Sequence, residues 1–557
     1  MDASTLKRIW TGSLALALLA ALLLTCPVLA EEPPPEEPAP VESGTSETAS
    51  AVSEQAEPAA EGEAAVETGT AVLDQVQEEA QPLPAETVEP AQEAVNLNAP
   101  QVEMPQEAPT ESIPPCEPAE PQSDSESTAA ADTPLPDPYF YDAAHVAHHY
   151  ATISLAVNNF TAQDGTGMIY VESGTFAEVV TVSGVAGLTG IVFQNYYPAE
   201  ASAGFDPYDY TNWPTIAGWV TVENQTAGFT LLGFNITTGS AGSLVSFVDN
   251  TGTLNLSYLN IENTGTGAGL SINTNSGAVN ISHVRSRGNG GNGAEVGSVT
   301  PVQGTVTISG SSFDHNGGTY GLTVAATGLV TLNGVSASGN EVNGARIQSH
   351  GALIKNGVFN HNDDGGTTGS GLIYAQNGTG NLTLEEVQLN GNSRYGMSAG
   401  VWGNISLKNV RADHNGYSGV TLDTCGEVGG TCSNPSSGNV TVTHSNFENN
   451  SWRVSGYYGL DIYTAKGSIT LTDVHGLTNG DADSTGTGAY LNNRFSPGSS
   501  PVSLTDCSFD GNRNRGLDIY SRGSITLNGI SVSENTSNDY GAYLNNTYGN
   551  GGIVLKA

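Results

Sequence analysis

The chain has 557 residues, room for several ordinary domains, and a formal net charge of −41 at pH 7, from 57 Asp and Glu against 16 Lys and Arg residues. Lys and Arg are absent between Ile9 and Val284. So acidic a surface argues against a nucleic-acid partner, because phosphate binding needs cations, and against electrostatic docking to anionic lipid.

Residues 1–30 have the pattern of a secretory signal peptide. Lys7 and Arg8 form a short basic region, the run from Leu14 to Leu24 is apolar, and Ala30 ends a small-residue cleavage site. The alternative is an uncleaved membrane anchor. We therefore expect a secreted or surface-displayed protein that has no membrane insertion after the signal is cleaved.

Residues 31–135 are rich in Pro, Glu, Ala, Ser and Thr and contain no Lys or Arg. Such a segment cannot bury enough apolar surface to offset its chain entropy, so it is predicted to be disordered. Its charges repel one another and its prolines stiffen it. We interpret it as an extended acidic spacer that holds the next domain away from the cell, although an ordinary disordered tail would behave the same way.

From about residue 136 the composition changes. The run HVAHHYATISLAVNN, from His145 to Asn159, predicts a short amphipathic helix, and MIYVESGTF and AEVVTV predict strands. Three histidines in this run, at positions 145, 148 and 149, could hold a metal ion, but a solvated or capping cluster is the favoured interpretation.

This stretch resembles the N-terminal end of right-handed parallel β-helix proteins of the pectin-lyase-like superfamily. In that family a helix caps the open end and a Gly-Thr-Tyr-Glu-Val phrase begins the coils; here Phe176 and Ala177-Glu178 occupy the matching place. The resemblance implies an all-β fold over residues 136–557, a right-handed parallel β-helix solenoid with a short capping helix. It implies no particular activity, because the phrase occurs in proteins of many functions.

A repeat of Gly, an apolar residue, any residue and a second apolar residue recurs through the later sequence. Its glycines fall 23 to 29 residues apart, except for one interval of 40, and a period of this size indicates a solenoid. We expect regular coils from about residue 245. The glycines are at positions 269, 293, 321, 344, 371, 396, 419, 459, 488, 516 and 541.

Each coil then has an alternating apolar pair, such as Val279 and Ile281, which predicts a strand with these side chains facing the core. Each coil closes with an Asn. Asn tolerates the left-handed conformation that a tight corner needs, and stacked amides can form a hydrogen-bonded ladder. The column is Asn263, Asn289, Asn316, Asn340, Asn362, Asn392, Asn415, Asn450, Asn479, Asn512 and Asn535.

Function on such a solenoid must lie on outward side chains or inserted loops, because the inward columns are filled. One outward column is predicted to run Ser271, Glu295, Thr323, Arg346, Ile373, Ser398, Thr421, Asp461, Tyr490, Asp518 and Tyr543. A second, two residues further along each strand, is predicted to end with Asp423, Tyr463, Asn492, Tyr520 and Asn545.

The late coils of these columns consist of Asp, Tyr and Asn, a combination that suits an extended polysaccharide. Tyrosines offer flat apolar faces with polar tips, and amides could bond sugar hydroxyls. The alternative is that Tyr and Asn only form stable ladders on a strand face. The predicted binding residues are Tyr463, Tyr490, Asn492, Tyr520, Tyr543 and Asn545.

Catalysis would need two carboxyl groups, and the candidates are Asp423, Asp461 and Asp518. Asp461 and Asp518 lie two coils apart, roughly 9–10 Å by strand spacing, which does not exclude an inverting pair of carboxyls. However, Tyr490 would stand between them. The motifs of polygalacturonases, pectin methylesterases and pectate lyases are absent or out of order, so catalysis is not the favoured interpretation.

The acidic loop NGDADSTGTG, from Asn479 to Gly488, resembles part of an EF-hand loop through Asp481 and Asp483. It lacks the Glu at position twelve, and a Gly-rich turn is the alternative, so Ca²⁺ is only a weak prediction and no other cofactor is expected.

Cys425 and Cys432 flank six residues in the longest coil, a spacing that suits a local disulfide in an exported protein. The alternative is a metal pair, but no second pair or nearby His completes a zinc set. Cys507 falls in an inward column and is predicted to be a small buried hydrophobe.

These patterns predict a secreted or surface-displayed β-helix protein that binds polysaccharide along the outward face of its late coils. A polysaccharide lyase or glycoside hydrolase on the same face and a structural spacer in a larger surface protein are the alternatives. The last residues, GGIVLKA, read as the first strand of a truncated coil. Because solenoids need capping repeats, we expect a further C-terminal domain or a neighbouring subunit to cover this end.

Overall fold

The structure is a computed structural model, and it describes residues 137–194, 210–237, 242–262, 265–363, 366–376, 378–424, 438–495, 500–536, 540–547 and 549–556. The predicted signal peptide, the acidic spacer, the Cys425–Cys432 disulfide and Asn263 lie outside the described residues.

The described residues form the predicted parallel β-helix, in which successive coils contribute strands to the same sheets. One sheet is 14-stranded, and every one of its neighbouring strands is paired in parallel. Its strands are Val180–Ser183, Val220–Glu223, Val245–Asn250, Leu270–Asn275, Ala294–Val296, Tyr320–Ala325, Asn343–Ser349, Leu372–Gln376, Met397–Gly400, Val420–Asp423, Tyr457–Tyr463, Gly486–Asn492, Leu517–Tyr520 and Ala542–Asn545.

The second sheet is 21-stranded and contains the alternating apolar pairs. Its strands are Tyr139–Tyr141, Ala147–His149, Gly167–Val171, Thr175–Phe176, Leu188–Phe193, Thr215–Ala217, Phe229–Thr237, Leu254–Glu262, Val279–Ser282, Arg285–Arg287, Val306–Ser309, Leu329–Asn333, Gly351–Lys355, Leu382–Glu385, Ile405–Lys408, Arg411–Asp413, Val440–Glu448, Ile469–His475, Val502–Thr505, Ile525–Asn528 and Ile553–Lys556.

The main core is an apolar column along the axis of the solenoid. Its buried side chains extend from Phe140, ahead of the first coil, to Leu527 near the last, and Phe193 and Trp213 form a second, small cluster. Leu460 and Ile462 of one sheet and Ile469 of the other are fully buried, as the alternating pattern predicts. Cys507 is a buried free thiol in this core, which confirms its assignment as a small hydrophobe.

The predicted asparagine ladder is present and continuous from Asn289 to Asn535. In each step the Nδ2 of one Asn donates to the Oδ1 of the Asn one coil later, over 2.9 to 3.2 Å. The backbone N–H of the same Asn donates to the same oxygen, for example from Asn392 to Asn415 at 3.0 Å. The amides therefore connect each of these ten coils to the next inside the core.

The left-handed backbone conformation does not occur at the ladder asparagines, where it was predicted, but one residue earlier. His315, His361 and His414, for example, have φ values of 56°, 53° and 55°. The ladder Asn itself must direct both its backbone N–H and its amide along the axis of the solenoid, so the preceding residue makes the sharp turn.

The repeated glycines are required by this ladder. A Cβ added at Gly459 would lie 2.7 Å from the Nδ2 of Asn479 and 2.7 Å from the carbonyl oxygen of Gly488. The ladder amide and the backbone of the next coil therefore pack directly against the glycine, and any side chain there would push the coils apart.

The capping helix is shorter than predicted and covers Ile153–Phe160. Thr152 begins it, with an extended backbone and a hydroxyl that accepts a hydrogen bond from the N–H of Leu155 at 3.1 Å. The residues before it form a strand, Ala147–His149, antiparallel to Tyr139–Tyr141. The apolar face of the helix, Ile153, Ala156, Val157 and Phe160, is buried at the N-terminal end of the core.

The three histidines near this end are held by local contacts. His148 Nε2 lies 3.1 Å from Asp142 Oδ2, and the His149 ring stacks on Tyr139 with centroids 5.0 Å apart. His145 has a left-handed φ of 61°. These contacts agree with the interpretation of a capping cluster.

Replacing Glu178 by Ala is expected to lower the free energy of unfolding by about 1 kcal/mol, because its carboxylate caps the helix. Its Oε1 accepts from the N–H of Ile153 at 2.8 Å and its Oε2 from the N–H of Ser154 at 2.9 Å. Urea unfolding of the variant measures the loss. Glu172→Ala is the control, and an equal loss in both variants would show that the cap contributes nothing.

No helix in the described part of the chain is both long enough and apolar enough to cross a membrane.

Candidate functional site

The 14-stranded sheet carries both predicted outward columns in the predicted register. Asp461 is paired with Thr421 on one side and Tyr490 on the other, and Tyr490 is paired in turn with Asp518. The second column runs in parallel through Asp423, Tyr463, Asn492, Tyr520 and Asn545.

Four tyrosines form a continuous row across four coils, which we call the tyrosine ladder: Tyr463, Tyr490, Tyr520 and Tyr543. Successive ring centroids are 5.4, 5.5 and 5.5 Å apart, and the rings are inclined by 41° to 46°. The row zigzags, because Tyr alternates between the two columns from coil to coil. All four side chains are half-buried, so each ring packs on its neighbours and still presents surface to solvent.

Each of the two predicted binding asparagines donates a hydrogen bond to the hydroxyl of a ladder tyrosine. Asn492 Nδ2 donates to the Tyr490 hydroxyl at 3.0 Å, and Asn545 Nδ2 donates to the Tyr543 hydroxyl at 3.1 Å. Asn492 is fully buried. Their first role is therefore to orient the rings, and the prediction that their amides bond sugar hydroxyls has no direct geometric support.

The three candidate catalytic aspartates point outward from their strands, but they are almost completely covered. Asp423, Asp461 and Asp518 are 2%, 7% and 6% exposed. Asp461 lies among Tyr458, Tyr463 and Tyr490, and its charge contributes to raising the pKa values of Tyr458 and Tyr463 above the usual range, after burial itself. The tyrosine rings thus cover the carboxyl groups.

Asp461 is an unusual carboxyl group, because it has no ion pair with any cation in the part of the chain that the structure describes. Burial, and secondly the charge of Asp423, raise its pKa well above the ordinary value of 3.8. Its Oδ1 is buried and has no hydrogen-bond partner. Both effects favour the protonated form of Asp461 over the charged one.

Asp518, its counterpart in the repeated Leu-Asp-Ile-Tyr phrase, has a different environment. Arg515 Nη1 contacts both carboxylate oxygens, at 3.3 and 3.0 Å. Burial still raises the pKa of Asp518, and Arg515 offsets part of that effect. The residue before the coil glycine makes the difference, since Arg515 stands where the earlier coil has Tyr458.

The structure does not bring the aspartates together as an open catalytic pair. Tyr490 lies between Asp461 and Asp518 in the pairing register. An inverting glycosidase leaves room between its carboxyl groups for a water and the sugar ring. That room is occupied here by the Tyr490 side chain.

The acidic loop is a closed turn around Asp481. Its Oδ1 accepts from the N–H of Asp483 at 2.9 Å and of Ser484 at 3.0 Å, and these bonds lower the pKa of Asp481. Among the residues that the structure describes, no group of three or more His, Cys, Asp or Glu side chains could hold a metal ion. Calcium binding by Asp481 and Asp483 stays a prediction.

The sequence reasoning missed the residues that precede the coil glycines. Tyr458 extends the tyrosine ladder, with its ring centroid 5.2 Å from that of Tyr490. Arg515 lies 5.3 Å from the Tyr543 ring, and Arg494, which follows a strand, lies 5.4 Å from the Tyr520 ring. The sequence signal was the recurrence of Tyr or Arg one or two positions before the glycine, at 320, 394, 395, 417, 457, 458, 515 and 540.

No protein-family model matches the chain, and no curated protein matches it. Among solved structures, the A-module of mannuronan C-5 epimerase AlgE4 from Azotobacter vinelandii is similar, at 14% identity and a TM-score of 0.41, over 72% of this chain and 94% of that one. The A-module of AlgE6 from the same organism is similar at 13% identity and a TM-score of 0.36, over 73% and 94%. Similarity at this level carries no argument about activity.

Proposed function

We propose that the protein is a secreted or surface-displayed β-helix protein that binds polysaccharide along the tyrosine ladder. The observation that carries the proposal is the ladder itself, an unbroken row of half-exposed rings on one face of the solenoid. The composition supports an extracellular setting, through the signal-like N-terminus and the acidic spacer.

The rings suit a sugar chain because each combines an apolar face with a polar tip. The C–H faces of sugar rings can pack on aromatic faces, while their hydroxyls bond tyrosine hydroxyls at the edge. Asn492 and Asn545 fix two of the hydroxyls in advance, and the parallel strands fix the spacing of the rings. A site that is ordered before the ligand arrives loses little conformational entropy on binding.

The burial of the aspartates supports binding rather than hydrolysis or elimination. A catalytic carboxyl must touch the bond that it protonates or the sugar that it attacks. Asp461 and Asp518 are separated from any ligand on the ladder by tyrosine rings.

Tyr520→Ala is expected to weaken binding to a polysaccharide about fivefold, because one stacked ring contributes roughly 1 kcal/mol. Tyr520 is central in the ladder and contacts both Tyr490 and Tyr543. Affinity electrophoresis of the full-length chain through gels containing neutral and charged polysaccharides measures retention. Tyr520→Phe, which keeps the ring, should bind nearly as the wild type does.

Tyr320→Ala is the matched control, because Tyr320 lies on the same sheet in an early coil, half-buried and away from the ladder. Equal retention of wild type and Tyr520→Ala on every polysaccharide would refute the proposal and leave the structural-spacer interpretation. New reducing or unsaturated ends that disappear in Asp461→Asn would instead identify an enzyme.

A further inference from the structure

A second group of aromatic side chains lies beside the tyrosine ladder, on coils that the sequence reasoning left without a function. We call it the arginine–tyrosine cluster, and it consists of Arg394, Tyr395, Tyr417 and Tyr457. Its members stand one or two residues before three successive coil glycines, so they lie at the N-terminal ends of three adjacent strands of the 14-stranded sheet.

The cluster is built around a pair of stacked rings. Tyr417 and Tyr457 lie with centroids 4.5 Å apart and planes inclined by 27°, and Tyr395 meets both rings edge-on, at 5.4 and 6.0 Å. The Arg394 guanidinium carbon lies 5.1 Å from the Tyr395 ring and 5.4 Å from the Tyr417 ring. The three rings are half-buried and Arg394 is exposed.

Arg394 has no carboxylate partner in the described part of the chain. Among the cations that are paired, Arg411 contacts Asp413, Arg515 contacts Asp518, and Lys408 contacts Glu385. In a chain with a net charge of −41, an exposed guanidinium that is held on aromatic faces and left without an anion is available to an external one.

The cluster is continuous with the tyrosine ladder. Tyr457 belongs to it, and the next residue, Tyr458, has its ring 5.2 Å from Tyr490 of the ladder. Burial raises the pKa of the Tyr395 hydroxyl to about 12, in keeping with its place inside the packed cluster.

We propose that the arginine–tyrosine cluster is a second subsite of the same binding face, and that it accepts a sugar unit carrying an anionic substituent, a carboxylate or a sulfate. The sugar packs on the tyrosines and Arg394 takes the anion through its paired N–H donors. This inference rests on the proposed function, because it extends the ladder toward earlier coils. The second subsite adds a preference for anionic over neutral sugars, which the four ladder tyrosines do not supply.

The test compares neutral polymers with their charged derivatives, hydroxyethyl cellulose with carboxymethyl cellulose and dextran with dextran sulfate, by affinity electrophoresis of the full-length chain at low salt. Wild type should bind at least one charged derivative more tightly than its neutral parent. Arg394→Gln should reduce that binding about fivefold, the upper range for an exposed ion pair, and leave the neutral polymers unaffected. Added salt should remove the preference.

Arg411→Gln is the matched control, an exposed arginine on the other sheet that is already paired. Whichever derivative is preferred identifies the anion as carboxylate or sulfate. The inference is wrong if wild type shows no charge preference, or if Arg394→Gln and Arg411→Gln change binding equally. Should Tyr520→Ala weaken binding while Arg394→Gln does not, only the second subsite fails; binding to no polymer at all would overturn both proposals.

Discussion

Asn415→Ala is expected to lower the free energy of unfolding by about 3 kcal/mol, because it breaks the asparagine ladder in its middle. The substitution removes the Oδ1 that accepts from both the N–H and the Nδ2 of Asn392, at 3.0 Å each. It also removes the amide that donates to Asn450 Oδ1 at 2.9 Å. Buried donors that lose their acceptor cannot turn to water, so the full desolvation cost remains.

The measurement is thermal or urea unfolding of the full-length chain, followed by circular dichroism. Asn446→Ala is the control, a half-buried Asn on the outer face of the neighbouring coil whose side chain makes no hydrogen bond to the described residues. It should change stability by less than about 0.5 kcal/mol. Similar losses in the two variants would show that the hydrogen bonds of the asparagine ladder contribute nothing measurable to the stability of the folded protein.

Asp461→Asn is expected to stabilise the protein at neutral pH, whereas most substitutions of buried residues lower the free energy of unfolding. The folded-state pKa of Asp461 is raised by burial and by Asp423. Below the ordinary carboxyl pKa both the folded and the unfolded chain are protonated, and the group has no effect. As the pH rises above that value, the unfolded chain ionises first, so stability is lost until the folded pKa is reached.

Asparagine has nearly the same shape and cannot ionise, so the variant avoids this loss. The gain should be absent near pH 3, should grow above about pH 4, and at pH 7 should exceed the roughly 0.5 kcal/mol expected of a surface change. Unfolding at several pH values measures it. Asp506→Asn, at an exposed Asp in a left-handed corner that Asn tolerates, is the control. A gain that is the same at every pH would show that the charge of Asp461 is not responsible.

The columns of the solenoid were predictable because the backbone repeat determines them. Register follows from counting along each coil, and every pairing in the two outward columns agrees with that count, from Ser271 to Tyr543. The ladder of asparagines followed for the same reason, since a residue that recurs once a coil must stack on itself.

The burial of the aspartates could not be predicted from the outward columns of the sequence. Asp461 points outward, as the alternation requires, yet it is buried because the large rings of Tyr458, Tyr463 and Tyr490 close over it. Whether an outward side chain reaches solvent depends on the size of its neighbours in adjacent coils. The N-terminal limit of the capping helix also could not be predicted from the pattern, because Ala147–His149 pairs with the strand Tyr139–Tyr141, a contact between segments that local periodicity does not show.

The near-constant step of the tyrosine ladder, 5.4 to 5.5 Å between successive rings, combines the regular spacing of the paired strands with the inclination of rings that come from alternate columns. A periodic polymer can therefore stay aligned with the row only if its own repeat is commensurate with that step or with a multiple of it. For such a polymer each added unit meets another ring, and affinity should rise with chain length up to the extent of the row. In any other polymer, successive sugar units fall out of register with the rings, and longer chains should bind no better than short ones.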